Sequence, residues 1–109
     1  MSDFNTRLGL RRGKNGAIVL DATEEHQVVP GTVHFAVLTT IAEVAAAHSV
    51  GAAVVPASVQ VQLLRRAKPG RLEGRGKTLK RGRRLATAEG EVFQDDRMVA
   101  KATVTFALI

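Results

Sequence analysis

Thr32-Val-His-Phe-Ala-Val-Leu-Thr-Thr-Ile-Ala-Glu-Val-Ala-Ala-Ala-His-Ser-Val-Gly51 is the stretch on which the fold turns. Thr32 is a suitable N-cap and Gly51 a suitable stop, which brackets a helix of about five turns. Its apolar residues Phe35, Leu38, Ile41, Ala42, Ala45 and Ala46 cover more than one face, so the helix is expected to be enclosed on several sides. A membrane span needs roughly 20 predominantly apolar residues. Val33 to Val50 instead contains His34, Thr39, Thr40, Glu43, His48 and Ser49 and is rich in alanine, so it reads as a buried soluble helix that a sheet can approach closely.

Strands are expected on either side of it. Ala17-Ile-Val-Leu-Asp-Ala22 is short and β-branched, with Gly13 and Gly16 before it, and Glu24 to Gly31 reads as a loop. After Pro56, Val59, Val61 and Leu63 alternate with Ser58, Gln60 and Gln62, the period of a half-buried strand. Two further strands are expected at about 71–81 and 84–94, joined by Lys80-Arg-Gly-Arg83, with Gly74 and Gly76 as places to bend or bulge. The last, Met98 to Leu108, puts Ala100, Ala102, Val104 and Phe106 on one face, and Gln94-Asp-Asp-Arg97 supplies its hairpin turn. This order predicts one α+β domain over residues 1–109, a single sheet around a single helix, with residues 1–12 expected to be mobile.

Composition narrows the functional classes. A chain of 109 residues has one small core, so help from a second copy is expected. The absence of cysteine excludes disulfides and thiolate metal sites and favours a reducing compartment, with the cytoplasm as the default. Asp3, Asn5 and Arg7 stand where an export signal would be apolar. Of the 16 Lys and Arg residues, ten fall between Arg65 and Arg84, with Glu73 the one acid among them. Such a tract attracts nucleic acid, an anionic surface or a phosphate-bearing small molecule. It holds no Phe, Tyr or Trp on which bases could stack, which disfavours nucleic acid.

Glu43 is the one acidic or basic residue between Val33 and Val50 apart from the histidines, and helical spacing puts it on a face with Ala36, Thr39, Thr40 and Ala46. A buried carboxylate is costly without a partner, so it marks either a reactive group or a structural ion pair with one of the many arginines. At the helix start, the N–H groups near His34, Phe35 and Ala36 lie at the positive dipole end, where a developing oxyanion could bind. The two features are roughly 12 to 13 Å apart at 1.5 Å rise per residue, so a single site using both needs a second copy of the chain. His34 either orients a water or bonds a neighbouring backbone carbonyl. His26 and His48 lack an acid partner or metal-ligand spacing and carry no assigned role. No nucleophile elbow, P-loop or dinucleotide fingerprint is present.

Gly31-x-x-His34, followed nine residues on by Glu43, resembles the hotdog-fold acyl-CoA thioesterase superfamily, including the phenylacetate-pathway type. Val59-Gln-Val-Gln-Leu-Leu-Arg-Arg-Ala-Lys-Pro-Gly70, Lys80-Arg-Gly-Arg-Arg-Leu-Ala-Thr87, Val99-Ala and Thr105-Phe carry the resemblance to the C-terminus. It implies a curved antiparallel sheet wrapped around the helix and a homodimer, which could pair into a tetramer, with composite sites at the interface. Glu43 of one copy would be general base or nucleophile, the Phe35 amide of the other would hold the thioester oxygen, and His34 beside it would belong to the same catalytic group. Gly31, Ala36 and Ser58 would line the substrate, and Lys80, Arg81, Arg83 and Arg84 would meet the coenzyme A phosphates. No cofactor is implied, coenzyme A entering only as part of the substrate, and no metal, membrane or nucleic acid is implied. The chain departs from the pattern at Phe35 and Ala36, where relatives often have two glycines, at Val28 in place of Asn, and at Pro56 in place of Ser or Thr. The alternative function is a non-catalytic module that binds an acyl-CoA or another acyl ligand.

Overall fold

The computed structural model describes residues 3–109. Helix α2 (Phe35–Val50) lies across a six-stranded antiparallel sheet. The sheet comprises β1 (Arg11–Arg12), β2 (Ile18–Ala22), β5 (Val54–Leu63), β6 (Gly70–Arg81), β7 (Leu85–Gln94) and β8 (Arg97–Leu108), in the spatial order β1-β2-β6-β7-β8-β5. A hairpin of β3 (Gln27–Val29) and β4 (Thr32–Val33) leads into the helix, where a plain loop was expected. One sheet on one helix is what the element order predicts, and the arrangement is the hotdog fold that the resemblance implies.

The core forms between helix and sheet. Leu20, Leu72, Val92, Val104 and Phe106 from the strands meet Leu38, Ile41, Ala42, Ala45 and Ala46 from the helix, all buried. Alanine on the helix is matched by glycine beneath it. A Cβ on Gly76 would stand 1.9 Å from the Ala45 carbonyl oxygen, and one on Gly90 would stand 1.9 Å from that of Ala42. Gly74 and Gly76 therefore admit the helix and are not bends. The irregularity in β6 falls instead between Thr78 and Lys80, and it turns Arg81 to the helix side, in register with Ala86.

Two further differences have local causes. The helix starts after His34 and not after Thr32, because Thr32 and Val33 are held extended by pairing with β3 and by Val33 N–H donating to the Ala67 carbonyl. Strand β5 is not half-buried within one chain: it is the sheet edge, α2 packs chiefly over β6 and β7, and Val59 and Leu63 are 44% and 51% exposed. At the N-terminus, α1 (Phe4–Leu8) is capped by the Asp3 carboxylate, and Leu8 and Leu10 pack against the core. His26 ties that segment down. Its Nδ1 accepts from Thr23 N–H at 2.9 Å, which leaves the proton on Nε2 to donate to the Leu8 carbonyl at 2.8 Å.

Candidate active site

The helix start is built by side chains that the local sequence supplies. Pro30 and Gly31 occupy the β3–β4 turn, with Gly31 at φ 82°, a left-handed value that glycine adopts without strain. The Gly31 N–H donates to Gln27 Oε1 at 2.6 Å. Gly31 thus shapes the turn that delivers His34. His34 is the N-cap itself: its Nδ1 accepts the Ala36 N–H at 2.9 Å, and its backbone N–H donates to the His26 carbonyl at 2.8 Å. The expectation that its ring would bond a backbone carbonyl is corrected, since the bonded partner is an amide N–H. An accepting Nδ1 leaves the neutral ring's proton on Nε2.

With Ala36 N–H taken by His34 and Val37 N–H by the His34 carbonyl, the Phe35 N–H is left without a hydrogen-bond partner among the described residues. It sits at the positive end of α2. Phe35 is 56% exposed, and its ring stacks on the His34 ring with centroids 4.7 Å apart. Beside it runs an open apolar groove of about 360 Å³, lined by Val28, Phe35, Leu38, Leu63, Leu64 and Ala67 among others.

Glu43 lies on the side of α2 turned away from the sheet. The residues buried against the sheet are Val37, Leu38, Ile41, Ala42, Ala45, Ala46 and Val50, so Ala46 belongs with them; the stripe containing Glu43 is Ala36, Thr39, Thr40 and Ala47. Thr39 and Thr40 donate their hydroxyls to the Phe35 and Ala36 carbonyls, at 2.9 and 2.8 Å. Among the described residues Glu43 has no ion-pair partner. Half-burial pushes its carboxyl above the ordinary carboxylate value.

The remaining expected site residues are scattered in a single chain. Ser58 pairs with Thr105, which alternates with buried Val104 and Phe106, so Ser58 lies on the sheet face away from the helix while Pro56 stands on the helix side. Lys80, Arg83 and Arg84 are exposed at the β6–β7 turn, at the other end of α2. Arg81 Nη1 donates to the Val50 carbonyl at 3.0 Å and so caps the helix C-terminus. A cationic cluster that the tract's composition does not separate out, Arg65, Arg66, Lys68 and Arg97, borders the helix start instead. Only the pairing of distant loops brings Arg97 to the others.

A profile of the family described as acyl-CoA thioesterase N-terminal domain matches residues 16–107. The chain belongs to this family. Among solved structures, this acyl-CoA thioesterase domain is similar to a phenylacetic acid degradation-related protein from Ralstonia eutropha JMP134, at 27% identity over 95% of this chain and 88% of that one, with TM-score 0.82. It is also similar to a point mutant of the phenylacetic acid degradation protein PaaI from Thermus thermophilus, at 26% identity, 97% and 98% coverage and TM-score 0.84. The BH2602 protein of Bacillus halodurans, solved with CoA, shares the fold at TM-score 0.89 and 16% identity, over 100% of this chain and 77% of that one. A search of curated proteins found no match.

Proposed function

We propose that the protein hydrolyses acyl-coenzyme A thioesters at a site shared by two copies of the chain, with Glu43 as general base or nucleophile. The observation that carries this reading is a half-buried carboxylate with no cation beside it among the described residues, on the one helix face the sheet leaves open. Its structural alternative, an ion pair with an arginine, is not formed within the described chain. As a base, Glu43 takes a proton from water while the water oxygen attacks the thioester carbon. The carbonyl oxygen gathers charge at the Phe35 N–H, the C–S bond breaks, and the coenzyme A thiolate leaves and is protonated. As a nucleophile, its carboxylate attacks the thioester carbon and displaces the coenzyme A thiolate, which is protonated, and water then hydrolyses the resulting anhydride to the free acid and the Glu43 carboxylate.

Geometry supports a second copy. Glu43 and the Phe35 N–H are roughly 12 Å apart along one helix at 1.5 Å per residue, too far to act on one carbonyl. Two helices packed antiparallel through the small stripe of Ala36, Thr40 and Ala47 bring Glu43 of each to the start of the other. The partner's Lys80, Arg83 and Arg84, beyond its helix C-terminus, then approach the same helix start as candidate phosphate contacts, and Gly31 and Ala36 form its rim. Ser58 faces away from this helix surface. A long exposed edge at β5, with Val59 and Leu63 uncovered, supports self-association, since such edges are normally paired or blunted. The CoA-bound neighbour of the same fold supports the ligand class. Neither cofactor nor metal is needed, and a cytoplasmic location accords with the absence of cysteine.

Glu43→Gln keeps the side-chain shape and removes both basicity and nucleophilicity. The expected loss in kcat is about 10²- to 10⁴-fold, with binding of coenzyme A retained. Turnover equal to the parent by a folded Glu43→Gln variant would make Glu43 structural. The second reading, a non-catalytic acyl-ligand module, rests on the Phe35 ring standing over the helix start; it replaces the first if the parent turns over no acyl-CoA across chain lengths but binds one.

A further inference from the structure

We propose that the cleft bounded by Arg65, Lys68 and Arg97, with Arg66 at its border, is a subsite for the phosphate groups of the substrate's nucleotide, supplied by the same chain as the helix start. This rests on the acyl-coenzyme A reading above and names residues it does not use. The cleft is about 710 Å³ and is lined by four cations against a single acid, Asp95. That is within the range of small-molecule sites. It shares Arg65 and Arg66 as walls with the apolar groove beside Phe35. A ligand with a polyanionic head and a less polar tail could lie along both at once.

The backbone of the loop that carries Arg65, Arg66 and Lys68 is fixed in place. Gln94, the one buried polar residue among those described, accepts from Lys68 N–H at 3.0 Å and donates to the Lys68 carbonyl at 2.7 Å. Leu64 and Arg65 N–H both donate to the Val99 carbonyl, at 2.9 and 3.2 Å. Ala67 accepts from Val33 N–H at 2.8 Å, and Arg66 Nε donates to Thr32 Oγ1. Backbone and side-chain bonds thus pin the loop from both sides, one of them to the residues immediately before the helix. Holding the backbone that carries Arg65, Arg66 and Lys68 in place before the ligand arrives reduces the ordering cost of binding, and guanidinium forks match phosphate oxygens. No aromatic side chain lines the cleft, which disfavours a stacked nucleic acid base there.

The experiment compares Arg65→Ala/Arg97→Ala with two other variants, Lys80→Ala/Arg83→Ala/Arg84→Ala and the control Lys77→Ala on the opposite sheet face. Arg66 is left in place because of its bond to Thr32. Each is assayed on an acyl-CoA and on the matching N-acetylcysteamine thioester, which lacks the nucleotide, and coenzyme A binding is followed by calorimetry at low and high salt. The expected result for Arg65→Ala/Arg97→Ala is a KM for acyl-CoA raised at least about tenfold, against under about twofold for the short thioester, with a weaker salt dependence of coenzyme A binding. Lys77→Ala is expected to match the parent. An unchanged KM, or equal loss on both thioesters, overturns the subsite while leaving the hydrolase reading intact. A parent that hydrolyses nothing but loses coenzyme A affinity in this variant keeps the subsite and removes the hydrolase.

Discussion

A half-buried carboxylate facing no cation costs free energy whenever it is ionised, and Glu43 is in that position. Its native pKa lies above the unfolded value, so the native state holds the proton more tightly. Stability therefore falls as pH rises from the ordinary carboxylate value through the native one, and the ionised group is destabilising above that window. Glu43→Gln cannot ionise, and is expected to raise Tm at pH 7 relative to the parent and to lose that advantage below the ordinary carboxylate range. An equal difference in Tm at both pH values would mean that the carboxyl is not desolvated. If the ionised form does the chemistry, the acid limb of kcat/KM is displaced upward in the same direction. At this scale the sequence was informative about Glu43, because a lone acid in an alanine-rich helix stands out in one dimension. It was uninformative about Gln94 and His26, whose partners Lys68 and Leu8 are 26 and 18 residues away.

Between elements, the decisive contact is the approach of α2 to β6 and β7 over Gly76 and Gly90. Gly90→Ala would put a methyl group at 1.9 Å from the Ala42 carbonyl oxygen, a backbone atom that can yield only if the helix moves. Overpacking of this kind is expected to cost about 3 kcal/mol and to lower Tm by more than about 10 °C. Gly82→Ala, at 3.4 Å from the nearest atom, serves as the comparison and is expected to shift Tm little. If thermal melts place the two variants within a degree or two of each other, the close approach is not holding the helix. Period-two patterning made β8 and its inward Ala100, Ala102, Val104 and Phe106 readable, and the Asp95-Asp96 turn, at φ 51° and 64°, falls where the pattern breaks. The roles of Gly74 and Gly76 were not readable, since a glycine that bends a strand and one that admits a helix look alike without the helix above it. The same limit hid the true helix start: Thr32 is a good cap by residue type, but a strand pairing holds it extended and the Ala67 carbonyl holds Val33 after it.

For the whole molecule, the fold leaves two surfaces that one chain does not cover: the edge of β5 and the helix face bearing Glu43. The sequence pointed to a second copy through the chain's small size and the separation of its two candidate reactive groups, but alternation alone could not tell that the apolar side of β5 is exposed in one chain. A composite site makes a prediction that no single-chain site can share. Phe35 is the first helical residue, its N–H has no partner among the described residues, and His34 before it is already extended at φ −62° and ψ 138°. Phe35→Pro therefore removes the proposed oxyanion donor from a position where proline is tolerated. Glu43→Gln and Phe35→Pro are each expected to be nearly inactive. Unfolded together and refolded as a mixture, they form mixed dimers in which one of the two sites has both Glu43 and the Phe35 N–H, so about a quarter of the parental activity is expected to return. Recovery to that level supports the shared site, and a mixture no more active than its two components, with mixed dimers shown to be present, contradicts it.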